Sequence, residues 1–430
     1  MEETIFLSFL GTNNYLECFY QFPESESVQT KYTQIAVIKK HKEVINHFIF
    51  FLTDEAKKEN WEGDGKLKSE LKKLNIDESI IKTIDIPNGF NNNELLEIFT
   101  KLVNNIPDNA NLIIDVTHSF RSLPITLSSV LNYLKKVKNV QIVNIYYGAF
   151  EVLGNPRDVQ NTPLDNRIAP MLDITYLSAI QDWTTAIDHF LKFGNISKLK
   201  QLSETTIKPV LIQSKGQDQL ASKIRYIVNT LNDLLTSIYT CRSNTLLEIF
   251  SKNNNKSKLD TLLEYLNFIL NNNYLLPQLN EPFIRIKEKL ESIYDKNPII
   301  ATIKTVQWCI DFNWIQQGYT LLQENLCSYI IKLFNKDFNN KEERESLTSA
   351  LNIIFKKIPE QEWKGNKEMI SFYFNQQDKL FEISELYCSL TDYRNDINHS
   401  GYRQNPRSVR DITVKLSEYY QKTLRTINKF

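Results

Sequence analysis

The chain has 430 residues, and its 51 basic and 51 acidic side chains cancel to a formal net charge of zero. A hydrophobic share of 42% and a charged share of 24% are those of a folded globular protein with room for two or three domains. Balanced charge leaves no global field to gather a long nucleic-acid duplex or an anionic membrane, so any nucleic-acid contact must be local.

The opening stretch MEETIFLSFLGTNN carries an acidic pair where a secretory leader would be basic, and its apolar run is too short for one. No segment reaches the roughly 18 unbroken apolar residues of a spanning helix. The five cysteines, Cys18, Cys241, Cys309, Cys327 and Cys388, are scattered and never spaced as C-x-x-C. These features predict a cytoplasmic chain with no membrane partner, no disulfide framework and no thiolate zinc site.

Short apolar runs alternate with helical patterns over the first 150 residues. TIFLSFL (4–10), HFIFFLT (47–53), TIDIP (83–87), NLIIDVT (111–117) and VQIVNIYYG (140–148) read as strands, and their near-continuous hydrophobicity suits a parallel sheet covered on both faces. ELLEIFTKLVNNI (94–106) and ITLSSVLNYLKKV (125–137) repeat apolar residues every three or four positions, as helices do. The alternation predicts a doubly wound α/β sheet, Rossmann-like in plan, whose ligands bind beyond the C-terminal strand ends.

Two loops lie at such ends, GTNNY (11–15) and THSFRS (117–122). The second leads into a helix that tolerates Pro124 in its first turn. Thr117, His118, Ser119, Arg121 and Ser122 put hydrogen-bond donors around the N-terminus of that helix, where anions bind well. A single serine there more often caps the helix; the whole cluster points to a phosphate-bearing ligand. Neither G-x-G-x-x-G nor G-x-x-x-x-G-K-[ST] occurs, which excludes the common dinucleotide and P-loop sites. Tyr146 and Tyr147 end a strand, where they would either stack on a base or pack the sheet.

NPRDVQNTPLDNRIAPMLDIT (155–175) reads as a linker, and from about 176 onward the patterns are almost all helical. Asparagine clusters at 91–93, 253–255 and 271–273 fall in predicted loops. Near the end stands DYRNDINHSGY (392–402). Arg394 and His399 are five positions apart, a rotation of about 140° on a helix, so they share no single face. They converge only across a groove, most economically where two identical helices pair about a twofold axis. Two such pairs suit RNA cleavage by the neighbouring 2′-hydroxyl, because imidazole titrates near neutrality and guanidinium neutralises phosphate. No metal-ligand spacing accompanies them. Gly401 is placed to end the helix, and Arg403, Arg407 and Arg410 form a local basic patch suited to an RNA backbone. Such a patch is more often a plain solvated face.

Together DVTHSFRSLP, the segment PLDNRIAPMLDITYLSAIQDWTTAIDHFLKFGN and YRNDINHSGY resemble the CRISPR-associated CARF–HEPN ribonucleases that accompany type III interference systems. The resemblance implies a CARF domain over 1–165, a linker helix over 166–200 and a helical region over 201–430 ending in a HEPN nuclease, with 240–300 as a candidate insertion. It implies a metal-independent endoribonuclease of antiviral defence, acting on single-stranded RNA. Its allosteric activator would be a cyclic oligoadenylate, with cyclic tetraadenylate the expected ring, and it would work as a homodimer or a higher even-numbered assembly without a cofactor. By position, Arg394, His399 and Asn395 match the catalytic set. Thr12, Asn13, His118, Ser119, Arg121, Ser122 and Tyr147 match the activator site, and Arg403 and Arg407 the RNA contacts. The alternative is a CARF-type nucleotide sensor that regulates a partner without cutting RNA.

Overall fold

In the computed structural model, which describes residues 3–23, 27–118, 123–271 and 277–429, the apolar strands of the first part lie at the centre of one sheet. Eight strands are joined: β1 (Thr4–Phe9), β2 (Cys18–Gln21), β3 (Ser27–Thr30), β4 (His47–Leu52), β5 (Ile81–Asp85), β6 (Asn111–Asp115), β7 (Gln141–Gly148) and β8 (Ile168–Asp173). Their spatial order is β3-β2-β8-β7-β6-β1-β4-β5. β7, β6, β1, β4 and β5 run parallel, with Leu7 of β1 level with Ile49 on one side and Ile114 on the other.

Each central strand buries both faces. Phe6, Phe48, Phe50, Ile113 and Tyr146 join Ile35 and Ile38 of helix α1 (Thr33–His41) in one cluster. Leu7, Phe9, Ile49, Phe51 and Ile114 join Ile98 and Leu102 of α2 (Asn92–Asn105) and Leu127, Val130 and Leu134 of α3 (Leu123–Val137) on the other face. At about 1.5–3 kcal/mol for each large apolar side chain, this burial holds the sheet together. Among the parallel strands, the chain passes from β1 to β4 and β5 on one side and then to β6 and β7 on the other, so the order reverses between β1 and β6.

The sheet is mixed, where the apolar runs alone predict a parallel one. β8 runs antiparallel to β7, β2 parallel to β8, and β3 antiparallel to β2. β8 occupies part of the segment expected as a linker. Its Ala169 and Met171 point inward while Ile168 is half-exposed, so it alternates as a strand covered on one face does.

The chain divides into two compact units, Met1–Ala179 and Ile180–Phe430. The boundary falls inside helix α4 (Tyr176–Phe193). The regular elements of the second unit are all helices among its described residues, apart from an isolated bridge between Asn253 and Lys256. Its longest helices include α5 (Gln219–Tyr239), α6 (Ile315–Leu333), α7 (Lys341–Lys356), α8 (Gln377–Asn398) and α9 (Val409–Ile427). One apolar cluster runs through it, and Leu246, Leu262, Phe283 and Leu290 of the 240–300 stretch join the same cluster as Leu326, Leu351 and Leu386. α6 and α9 approach closely at Gly318, where an added Cβ would lie 2.6 Å from Leu416. α6 and α8 are tied by stacked rings of Tyr319 and Tyr393, 5.5 Å apart, and by Gln323 Nε2 donating to Thr391 Oγ1 at 2.7 Å. No described helix is long and apolar enough to cross a membrane.

Candidate functional site

The strand order reverses between β1 and β6, and sheets of this kind hold ligands in the crevice beyond the C-terminal strand ends at such a point. Its floor is Asp115, the last residue of β6 and fully buried. Oδ2 accepts from Ser8 Oγ at 3.1 Å and Thr33 Oγ1 at 2.9 Å, while Oδ1 accepts from Thr117 N at 3.0 Å and Thr117 Oγ1 at 2.6 Å. Burial raises the Asp115 carboxyl above the usual range, and those hydrogen bonds oppose it. Thr117 Oγ1 also accepts from Gly148 N at 2.8 Å, which ties this loop to the end of β7.

The other wall is the loop after β1. Asn60 is buried and donates through Nδ2 to the carbonyls of both Gly11 and Asn13, each at 2.9 Å. Tyr15 closes the loop by accepting from Gly11 N at 2.8 Å, and a Cβ on residue 11 would sit 2.7 Å from the Tyr15 hydroxyl. Only glycine lets the backbone come that near. Thr12 is partly exposed and Asn13 exposed, so the loop presents two polar side chains outward.

His118 lies against Tyr15 with ring centroids 4.1 Å apart. The residue is only partly covered, yet its Nε2 is enclosed and has no hydrogen-bond partner among the described residues. Burial lowers its pKa to about 3, so the ring is neutral at pH 7 and is no standing cation for phosphate. Tyr147 donates to Glu151 Oε1 at 2.5 Å and is partly buried. Of the two roles left open for Tyr146, stacking on a base or packing the sheet, it takes the second. It is a core residue, edge-on to Phe22, with its hydroxyl 2.8 Å from His41 Nε2. Ser119, Arg121 and Ser122 lie outside the described residues.

In the second unit, the polar stretch RNDINH forms the last turn of α8 without breaking it. The helix stops by a Schellman pattern, with Ser400 N donating to Ile397 O at 2.9 Å and Gly401 N to Asp396 O at 3.0 Å. His399 is the cap, and Ser400 (φ 55°) takes the first left-handed position that sequence reading gave to Gly401 (φ 73°). His399 and Asn395 are exposed. Arg394 is one quarter exposed, and its Nη1 donates to Glu324 Oε1 of α6 at 2.8 Å.

Arg403 and Arg407 do not form an open basic patch. Arg403 Nη1 donates to Asp392 Oδ1 at 2.9 Å, and Arg407 Nη2 donates to Asp392 Oδ2. The Arg407 guanidinium lies 3.8 Å above the Tyr393 ring, and its backbone N donates to Asp396 Oδ2 at 2.8 Å. Burial acts to raise Asp392, but hydrogen bonds from Arg407 and Arg403 outweigh it and hold its pKa down. The sequence offers these arginines as free cations because the carboxylate that takes them is met only after the chain folds back. Four buried polar atoms of α6, α8 and the loop before α9 lack partners among the described residues: Gln323 Oε1, Arg394 Nε, Asp396 Oδ1 and Arg407 Nε. Buried polar groups are rarely left so. No group of three metal-ligating side chains occurs among the described residues.

Asp115, Asn60, Tyr15 and Glu324 were not picked out from sequence. Only Asp115 left a trace there, as a carboxylate ending an otherwise apolar strand.

Residues 5–151 match the family model of the CARF domain of the CRISPR system endoribonuclease Csx1. The match reaches from β1 to β7 of the N-terminal unit, about a third of the chain, and takes in the strand reversal between β1 and β6. One relative is the CRISPR-associated protein MJ1674 of Methanocaldococcus jannaschii, 24% identical over 299 residues. The match takes in 69% of this chain but 38% of that relative's length. Among solved structures, Enterococcus italicus Csm6 bound to cyclic hexa-2'-fluoro-hexa-dAMP superposes over 99% of this chain and 93% of its own, at 13% identity and a TM-score of 0.39.

Proposed function

We propose that the chain is an endoribonuclease of type III CRISPR defence that cuts single-stranded RNA when its CARF domain holds a cyclic oligoadenylate. One observation carries the reading. A chain whose residues 5–151 match a CARF domain also ends a long helix in an arginine–histidine pair, with His399 exposed and Arg394 held on Glu324 of α6.

The chemistry follows from the side chains. His399 takes the proton of a ribose 2′-hydroxyl, whose oxygen attacks the adjacent phosphorus. The bond to the 5′-oxygen then breaks, and the imidazolium of the second copy's equivalent histidine protonates the leaving group. Arg394 neutralises the charge that builds on the phosphoryl oxygens, and Asn395 adds a hydrogen bond to it. The products are a 2′,3′-cyclic phosphate and a 5′-hydroxyl end. Two copies related by a twofold axis bring together the two arginines and two histidines. In the CARF domain Thr12, Asn13, His118, Ser119, Arg121, Ser122 and Tyr147 serve the activator, the neutral His118 as a hydrogen-bonding group. To move a resting equilibrium of 1:99 to 99:1, the ring must favour the active arrangement by about 5.5 kcal/mol.

The test is cleavage of a fluorescent single-stranded RNA with cyclic oligoadenylates of several ring sizes against linear ones. Cyclic rings should activate, linear ones should not, and His399→Ala should abolish the signal. The reading fails if cleavage persists in that variant. The ion pairs that occupy Arg394, Arg403 and Arg407 favour the second reading, a sensor without nuclease. It predicts ligand binding with no RNA cut under any activator.

A further inference from the structure

Arg394 rests on a carboxylate that is itself braced. Glu324 Oε1 accepts from Arg394 Nη1 at 2.8 Å while Oε2 accepts from Arg344 Nη2 at 2.7 Å. Arg344 is anchored in turn, with Nη1 donating to Ser328 Oγ at 2.8 Å and to the Phe338 carbonyl at 3.1 Å. Its Nη2 also reaches the Glu324 carbonyl at 3.1 Å. The row Arg344–Glu324–Arg394 thus crosses from α7 through α6 to α8.

We propose that Glu324 is the positioning residue of Arg394, fixing the plane and reach of its guanidinium for phosphate; the proposal rests on the ribonuclease reading above. Three features support this role over a chance surface pair. The carboxylate is immobilised by Arg344, so it can impose a geometry instead of following one. It takes one of the five N–H donors of Arg394, and with Nε enclosed three remain for a ligand. Two guanidiniums around one carboxylate leave a net positive charge, so the site keeps its attraction for an anion. A guanidinium on a flexible stem gains most from such a support, because its bonds to phosphate depend on a planar fork held in place.

The experiment compares wild type, Glu324→Ala, Glu324→Gln, Glu324→Asp and His399→Ala as full chains, with saturating cyclic oligoadenylate and a fluorescent RNA. It measures kcat, KM, melting temperature and cleavage without activator. Glu324→Ala should lower kcat about 10²-fold, the cost of a group misplaced by about an ångström. Its KM for RNA should stay within about twofold, because the loss falls on the transition state. Glu324→Gln keeps an acceptor oxygen in place and should recover about tenfold of that loss, which general destabilisation would not allow. If Glu324→Ala does not fold, Glu324→Asp decides: its oxygens are drawn back by one methylene, so kcat should fall, and a wild-type kcat overturns the proposal. A wild-type kcat in Glu324→Ala overturns it as well. Raised cleavage without activator also overturns it, by making Glu324 a restraint on Arg394. Full activity in His399→Ala, or no cleavage by wild type, sinks the ribonuclease reading itself. A dead His399→Ala beside an unaffected Glu324→Ala sinks only the role of Glu324.

Discussion

Asp392 holds two arginines at once, and with them the loop that follows His399. Its oxygens take Arg403 and Arg407, and the second arginine also covers Tyr393. Replacing it by asparagine should cost about 1 kcal/mol, the scale of a partly exposed ion-pair network, read as a lower urea midpoint at constant slope. The folded pKa is depressed, so the stabilisation is present above the unfolded value of about 3.9 and is lost as pH falls through the folded value. The gap between wild type and Asp392→Asn should therefore close in acid. His118 has the same sign of dependence in a higher window. It stays neutral in the folded chain down to about pH 3, whereas an unfolded histidine takes its proton near 6.5. Below about pH 6.5 the unfolded state binds the extra proton, and stability should fall by up to about 1.4 kcal/mol per pH unit. His118→Phe keeps a ring against Tyr15 and should flatten that acid slope in melting curves. An unchanged slope would place His118 in contact with water.

At the scale of elements, the loop after β1, proposed to meet the activator, is held mainly from outside itself. Asn60→Ala would orphan the carbonyls of Gly11 and Asn13 together, at about 1–2 kcal/mol for the pair. It should weaken activator binding in calorimetry and speed hydrogen exchange over 11–15; unchanged affinity would mean that the ligand orders the loop by itself. Nothing in the sequence marks Asn60, because its partners are backbone atoms 47 and 49 positions away. The central strands were legible for the opposite reason. β1, β4 and β6 are buried on both faces, so nearly every residue is apolar, whereas β2 and β3 are short and β8, as long as β1, is covered on one face, so all three disappear among polar residues. The asparagine clusters, read as surface turns, have a more specific use. Eight of the twelve non-glycine residues with positive φ among the described residues are asparagines, Asn254 and Asn255 among them, and the side chain of Asn91 caps α2. Asparagine tolerates the left-handed region, so it does in many of these turns what glycine does elsewhere. Asn272 and Asn273 lie outside the described residues. Arg394 and His399 were legible as a pair because both are rare types at a fixed spacing; the carboxylates that hold Arg394, Arg403 and Arg407 come from packing, which no local pattern records.

At the scale of the whole molecule, the proposed cut is a property of two chains, and that makes it testable without a structure of the pair. A helical rotation of about 140° separates Arg394 from His399 along α8. Arg394 is turned onto α6 through Glu324, while His399 caps the helix exposed. One copy thus supplies the two groups in different directions, and a second copy about a twofold axis supplies the complement. Arg394→Ala and His399→Ala chains should each be inactive alone. Mixed and exchanged, about half of the dimers formed at random carry one intact arginine and one intact histidine from opposite chains. Partial RNA cleavage should then return, growing with exchange time and saturating when exchange is complete. If each chain cut RNA with its own Arg394 and His399, no mixture of the two variants could recover activity. Recovery that tracks subunit exchange requires a shared groove in which one histidine still supports slow cleavage, whereas a flat line at every mixing ratio means that the cut needs both histidines or that no groove is shared.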